Sequence, residues 1–234
     1  MTVDNRTIMV VGGHAADAEV MAGATVLKHV KAGYRAVLVH MTLGEKGHRS
    51  MPVAEYTEQK RREAEAAAKA LSAEVVCMPY PDGELAVNEE TQWKIADAMR
   101  QYRPDVVITH WQGSIHRDHR NTSINVTEAL YFAGLPAFQR DLPAWHPRAV
   151  YYAENWEDPY GFQPEVSLDV TDVFPQYLEA ITSYELVRGG ISSFPYYKYY
   201  EALGTIRGAV AGYEKGVALM RPEGARLRKQ ELLM

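Results

Sequence analysis

The sequence predicts an α/β fold of Rossmann-like, doubly wound type: a mostly parallel sheet with helices on both faces, followed by an irregular C-terminal third. Three observations carry this. Short apolar runs at 7–11, 36–41, 75–78 and 106–109 alternate with longer stretches of helical periodicity. The runs are apolar almost throughout, as strands buried on both faces must be. Two histidine-bearing segments, 12–17 and 116–119, each follow such a run and open a helix, where α/β sheets place their ligand sites.

Taken in order, the first strand at 7–11 runs into Gly12-Gly13 and a helix at 19–32 that ends at Gly33. A second strand at 36–41 precedes a helix at 57–71, and a third at 75–78 precedes a helix at 88–102 that stops before Pro104. The fourth strand lies at 106–109. Strands joined by helices of this length form right-handed crossovers. A strand order of 3-2-1-4 then sets strands one and four side by side, at the point where the order reverses.

Turn signals dominate after about residue 133: Gly134-Leu135-Pro136, Leu142-Pro143 and His146-Pro147. Beyond them we expect strands at 149–154 and 166–169, a helix at 175–187 and a last helix at 199–219. Gly204, Gly208, Gly212 and Gly216 recur every four residues, which on a helix aligns them on one face for close packing against another element or subunit. No linker or repeat interrupts the chain, so residues 1–234 read as one domain.

A net charge of −5 and a pI near 5.9 exclude a nucleic-acid binder, which needs a basic stripe. The lone Cys77, within Val75-Val76-Cys77-Met78, reads as a strand residue; one cysteine fits a reducing, cytoplasmic setting. No run approaches a membrane span or the apolar part of a signal peptide.

The chemistry is concentrated in Gly12-Gly13-His14-Ala15-Ala16-Asp17 and His116-Arg117-Asp118-His119. His14 and Asp17, three apart at the turn into a helix, can face one point. With His119 from the neighbouring loop they make two imidazoles and one carboxylate, the ligand set of a catalytic zinc site with an open position, although another divalent metal would suit it too. His116 stands beside these ligands as a candidate oxyanion donor, and Asp118 as the group that orients an imidazole. The competing reading makes His116 and Asp118 caps of the helix they precede.

These motifs resemble those of the PIG-L (LmbE-like) zinc-dependent N-deacetylases, whose loops read approximately Ala-His-Pro-Asp-Asp-x-Glu and His-Pro-Asp-His. The resemblance extends to Thr42-Leu43-Gly44-Glu45 and Pro81-Asp82-Gly83-Glu84-Leu85. It implies His14, Asp17 and His119 as zinc ligands and His116 as the histidine that assists the tetrahedral intermediate. It implies Asp118 as that histidine's neighbour and Glu45 as a residue lining the substrate side. It further implies hydrolysis of an acetamido group on a sugar-like small molecule, in a homo-oligomer. Three positions depart from the pattern. Ala15 and Ala16 replace Pro-Asp, and that aspartate is the family's general base. Arg117 replaces the proline of the second motif. Lys60 falls where a substrate-contacting arginine is common.

With Ala16 unable to take a proton from water, Glu45, His48 or a group of the substrate remains as the base. The alternative is a homologue that binds metal or ligand without turnover. His48 neighbours Glu45 in a glycine-flanked loop, and Trp111, at the end of the fourth strand, offers a face for a sugar ring or a packing surface. Glu19, in the first turn of its helix, reads as structural. The aromatic segment 194–200 reads as packing, with Gly189-Gly190 giving it the freedom of a lid.

Overall fold

The computed structural model describes residues 6–158 and 160–222. The first half alternates strictly: β1 (Thr7–Gly12), α1 (Asp17–Lys31), β2 (Arg35–Thr42), α2 (Val53–Ala70), β3 (Glu74–Tyr80), α3 (Glu89–Tyr102) and β4 (Val106–His110). The second half comprises α4 (Arg117–Gly134), β5 (Ala149–Ala153), β6 (Val166–Asp169), α5 (Phe174–Ile181), α6 (Glu185–Arg188), α7 (Tyr196–Ala211) and β7 (Gly216–Met220).

All seven strands form one sheet in the order β3-β2-β1-β4-β5-β7-β6. The pairs β3–β2, β2–β1, β1–β4 and β4–β5 are parallel, and β7 runs antiparallel between β5 and β6. The predicted 3-2-1-4 order is present. Alternation along β1 shows why both faces need cover: Ile8 and Val10 join one core with α1, α2 and α5, while Met9 and Val11 join the other with α3 and α4. The carboxyl ends of β1 and β4 open on the same crevice, because Val11 pairs with Thr109.

Two helical expectations are corrected. The stretch 175–187 is broken into α5 and α6, and Tyr184 between them turns its hydroxyl into the core to donate to Glu19 (2.8 Å). The stretch 199–219 is helical only to Ala211. Gly212 closes α7 in the left-handed region (φ 80°), and 216–220 returns as the strand between β5 and β6. The glycines do serve close packing, but within this chain. A Cβ on Gly216 would stand 2.8 Å from the Gly208 nitrogen, so β7 can lie against α7 only if both positions are glycine. No helix among the described residues is long and apolar enough to cross a membrane.

Candidate metal centre

Three donor atoms from two loops converge at the β1/β4 crevice. His14 Nδ1 lies 3.0 Å from Asp17 Oδ2 and 3.2 Å from His119 Nε2, and Asp17 Oδ2 lies 3.0 Å from His119 Nε2. Tetrahedral ligation with bonds of about 2.0–2.2 Å sets donors roughly 3.3–3.6 Å apart, a few tenths of an ångström more than in this triangle, so a slight opening of it admits one ion of zinc's size. The turn that makes this possible is tight. Asp17 Oδ2 also accepts the His14 backbone N–H (2.7 Å), and Ala16 between them takes φ 103°, a strained value for a residue with a Cβ. Gly13 is required here: a Cβ on it would lie 2.9 Å from the His119 ring.

The outer nitrogens of both imidazoles are also met by polar groups. His14 Nε2 faces Asp82 Oδ1 (3.3 Å) and Asp118 Oδ2 (3.4 Å). His119 Nδ1 faces Ser114 Oγ and Glu157 Oε2, each at 3.2 Å. The His110 ring stacks on His119 at 3.9 Å, and its Nε2 accepts the Gly13 N–H (3.0 Å). That bond occupies the nitrogen nearest Asp17, so His110 braces the site rather than adding a fourth donor. Asp118 also accepts the Gly83 N–H (2.7 Å), which ties the loop after β3 to the start of α4.

Charge follows from this packing. Burial would lower the His14 pKa, but the Asp17 carboxylate and bonds to Asp118 and Asp82 outweigh it and raise it well above the usual value. Asp17, despite its burial, is held well below the usual carboxylate range by His119 and His14. Burial and the neighbouring His110 push His119 down to about 3. Burial, reinforced by the Asp17 charge, pushes Glu157 up to about 8.

A cavity of about 180 Å³ adjoins the triangle. Its polar wall carries His14, Asp17, Asp82, His116, His119 and Glu157; Tyr56, Leu186, Ile191 and Tyr196 form the apolar wall. His116 stands at the cavity and caps α4 as well. Its Nδ1 accepts the Asp118 N–H (3.2 Å), which leaves the proton of the neutral ring on Nε2. Burial and the charge of His14 lower its pKa and favour that neutral form.

Other candidates lie elsewhere. Glu45 accepts the Asp82 N–H (2.9 Å) and so fixes the loop that carries Asp82, but it does not line the cavity. His48 accepts the Met51 N–H (2.8 Å) with Nδ1 and packs on Tyr56, just outside the cavity. Trp111, offered as a sugar platform, is instead a packing residue. Its ring sits among Tyr152, Met220 and Phe162, and its N–H donates to the Tyr160 carbonyl (2.6 Å). Ala15 lines the cavity and Ala16 does not, although both belong to the buried core. Lys60 reaches the cavity from α2 and donates to the Ala15 carbonyl (2.6 Å). Glu19 is buried with His40 (3.0 Å) and Tyr184, away from the cavity.

Glu157 joins the site without having been singled out from the sequence, and Asp82, though part of the 81–85 motif, was given no role there. Asp82 follows β3 and Glu157 follows β5, so both loops lie at carboxyl ends of the parallel strands, and for Glu157 topology was the available signal. The run Glu154-Asn155-Trp156-Glu157-Asp158 directly follows β5, the neighbour of β4.

Comparison with known proteins shows the family and the fold. The chain is 26% identical over 190 residues to the 4-oxalmesaconate hydratase of Pseudomonas putida, covering 77% of this chain and 74% of that one. It is 26% identical over 192 residues to the diacetylchitobiose deacetylase of Thermococcus kodakarensis, covering 78% and 70%. The crystal structure of GalB, the 4-carboxy-2-hydroxymuconate hydratase of Pseudomonas putida KT2440, superimposes with a TM-score of 0.86 at 22% identity, over 97% of this chain and 100% of that one, and shares the fold. Residues 9–130, more than half of the sequence and including every donor of the triangle, match the PIG-L family, described as GlcNAc-PI de-N-acetylase, and the chain belongs to that family.

Proposed function

We propose that this protein is a zinc-dependent N-deacetylase acting on a small, uncharged or amine-bearing N-acetylated sugar or related molecule. The observation that carries the reading is the charge of the cavity. Its lining holds the carboxyl groups of Asp17, Asp82 and Glu157 and one cation, Lys60. The Lys60 ammonium is already engaged by the Ala15 carbonyl and lies 4.8 Å over the Tyr184 ring. Beside a divalent ion these groups leave little surplus positive charge, so a neutral acetamide fits and an ammonium product is tolerated.

His14, Asp17 and His119 would hold the ion. Bound there, zinc supplies a Lewis acid that polarises a carbonyl and brings a coordinated water toward neutral pKa. The protein groups do the rest. His116, with its proton on Nε2, donates a hydrogen bond to the oxygen that gains charge as the amide carbonyl is attacked, and the proton that the attacking water gives up is the one the leaving nitrogen takes. Tyr56, Tyr196, Leu186 and Ile191 give the apolar wall against which the carbon face of a sugar ring packs.

Hydration of a carbon–carbon double bond is the second reading. Ala16 is compatible with it, because the aspartate that the family's deacetylases use as base is missing, and one relative bears a hydratase name. The cavity charge opposes it, since that relative's named substrate is a polycarboxylate. In the reading we prefer, the chain works as one domain in the cytoplasm. Homo-oligomer formation is supported by exposed apolar side chains on α7, Ile206 and Val210 among them.

One assay separates the readings. The zinc-loaded protein is incubated with N-acetyl sugars and acetylated thiol conjugates, and in parallel with unsaturated polycarboxylates. Acetate release from the first panel is the expected result. Hydration of the second panel with no acetate from the first would replace the proposal with the alternative.

A further inference from the structure

We infer that Glu157 is a positioning residue of the metal centre: its carboxyl Oε2 accepts the Nδ1–H of His119 and holds that imidazole with Nε2 turned toward the ion. The inference rests on His119 being a ligand. A neutral imidazole carries one proton, so a ring that ligates through Nε2 must carry it on Nδ1 and needs an acceptor there. The acceptors within reach are Glu157 Oε2 and Ser114 Oγ, each at 3.2 Å.

Ser114 is the weaker of the two for a structural reason. Its hydroxyl donates to the Glu157 backbone carbonyl (3.1 Å), and its oxygen also faces the His116 N–H (3.3 Å). The same carbonyl accepts the Ile115 N–H (2.7 Å). Glu157 therefore fixes the loop after β4 through its backbone and the His119 ring through its side chain. The Glu157 carboxyl accepts through Oε2 in either protonation state, whereas the Ser114 oxygen is shared with the His116 N–H. His110, stacked on the other side, sets the ring plane, while the Nδ1 bond sets its rotation. His14 has the same arrangement, with Asp82 and Asp118 at its outer nitrogen. Each ligand imidazole is thus backed by carboxylate from a neighbouring loop, and for His119 that loop follows β5.

The test is metal affinity and metal spectroscopy on the full chain, for wild type, Glu157→Ala, Glu157→Gln and Ser114→Ala. Zinc affinity is measured by chelator competition, and the visible bands of the cobalt-substituted protein report the ligand field. Glu157→Ala should weaken zinc by about 10–100-fold and shift the cobalt bands, as loss of a partner behind a ligand histidine does. Glu157→Gln, whose amide oxygen still accepts, should recover part of the affinity, and Ser114→Ala should lose less than Glu157→Ala. Unchanged affinity and bands in both Glu157 variants would overturn the inference while leaving the metal centre standing. Equal losses in Ala and Gln, with a lowered melting temperature of the metal-free protein, would make Glu157 structural and overturn it too. Failure of the wild type to bind zinc or cobalt would remove the centre itself.

Discussion

His14 Nδ1 and His119 Nε2 stand 3.2 Å apart across 105 residues of sequence. Asp17 Oδ2, 3.0 Å from each of them, supplies the third corner of a donor triangle. The proposed ligand role predicts that His14→Ala, Asp17→Ala and His119→Ala each lose zinc and, with it, the rise in melting temperature that zinc confers. Equilibrium metal analysis alongside thermal melts with and without zinc checks this. Full zinc retention by any one variant would remove that residue from the ligand set.

His116→Ala should keep its metal but lose about 10²–10³ in turnover, the usual cost of removing an oxyanion donor. Loss of the α4 cap adds about 1 kcal/mol of destabilisation, visible in urea melts. Loss of metal in this variant would mean that His116 is itself a ligand.

Ala16→Asp puts back the carboxylate that the family pattern carries between the ligands. A positioned base contributes about 10²–10⁴ in rate, so if the longer aspartate reaches the cavity that Ala16 itself does not line, acetate release should rise at least about tenfold. The melting temperature should fall, because position 16 is 2% exposed and packed in the core. A fall in activity would show that another group already takes the water's proton. No change would show that a side chain at this position does not reach the cavity.

His40 and Glu19 form a buried pair beneath the site (3.0 Å), both 0% exposed. Burial would lower the His40 pKa, but the Glu19 charge outweighs it and raises the value from 6.5 to about 9. The folded value thus exceeds the unfolded one. Its stabilisation is complete below about pH 6.5 and is lost as pH rises through about 9. The loss is on the order of 3 kcal/mol. Urea titrations at both pH values should show the decline in wild type and a flatter profile in His40→Gln. Parallel profiles would contradict the assignment.

The parallel half of the fold was legible because β1 to β4 are buried on both faces, and such strands announce themselves as unbroken apolar runs. The convergence of His14, Asp17 and His119 was legible because their two motifs sit at the carboxyl ends of β1 and β4, which the strand order sets side by side. Position 216 was misread because glycine every fourth residue marks a helix face in sequence. In space it marks the contact of α7 with β7. Trp111 was ambiguous for a related reason: a strand-end tryptophan serves a cavity or a core equally well, and the Tyr160 carbonyl decided for the core. Glu157 belongs to a loop with no motif of its own. Only the placement of β5 beside β4 brings it to His119.

If an ion held by His14, Asp17 and His119 drives hydrolysis of an N-acetyl group, acetate release must follow the metal. Release from an N-acetyl sugar panel by the purified protein is therefore measured before chelation, after chelation, and after zinc is restored. It should disappear with the metal and return with it, and it should stay absent in Asp17→Ala at every stage. Release that persists unchanged in the chelated protein, or a zinc-saturated protein that frees no acetate from any member of the panel, would contradict metal-driven deacetylation at this site.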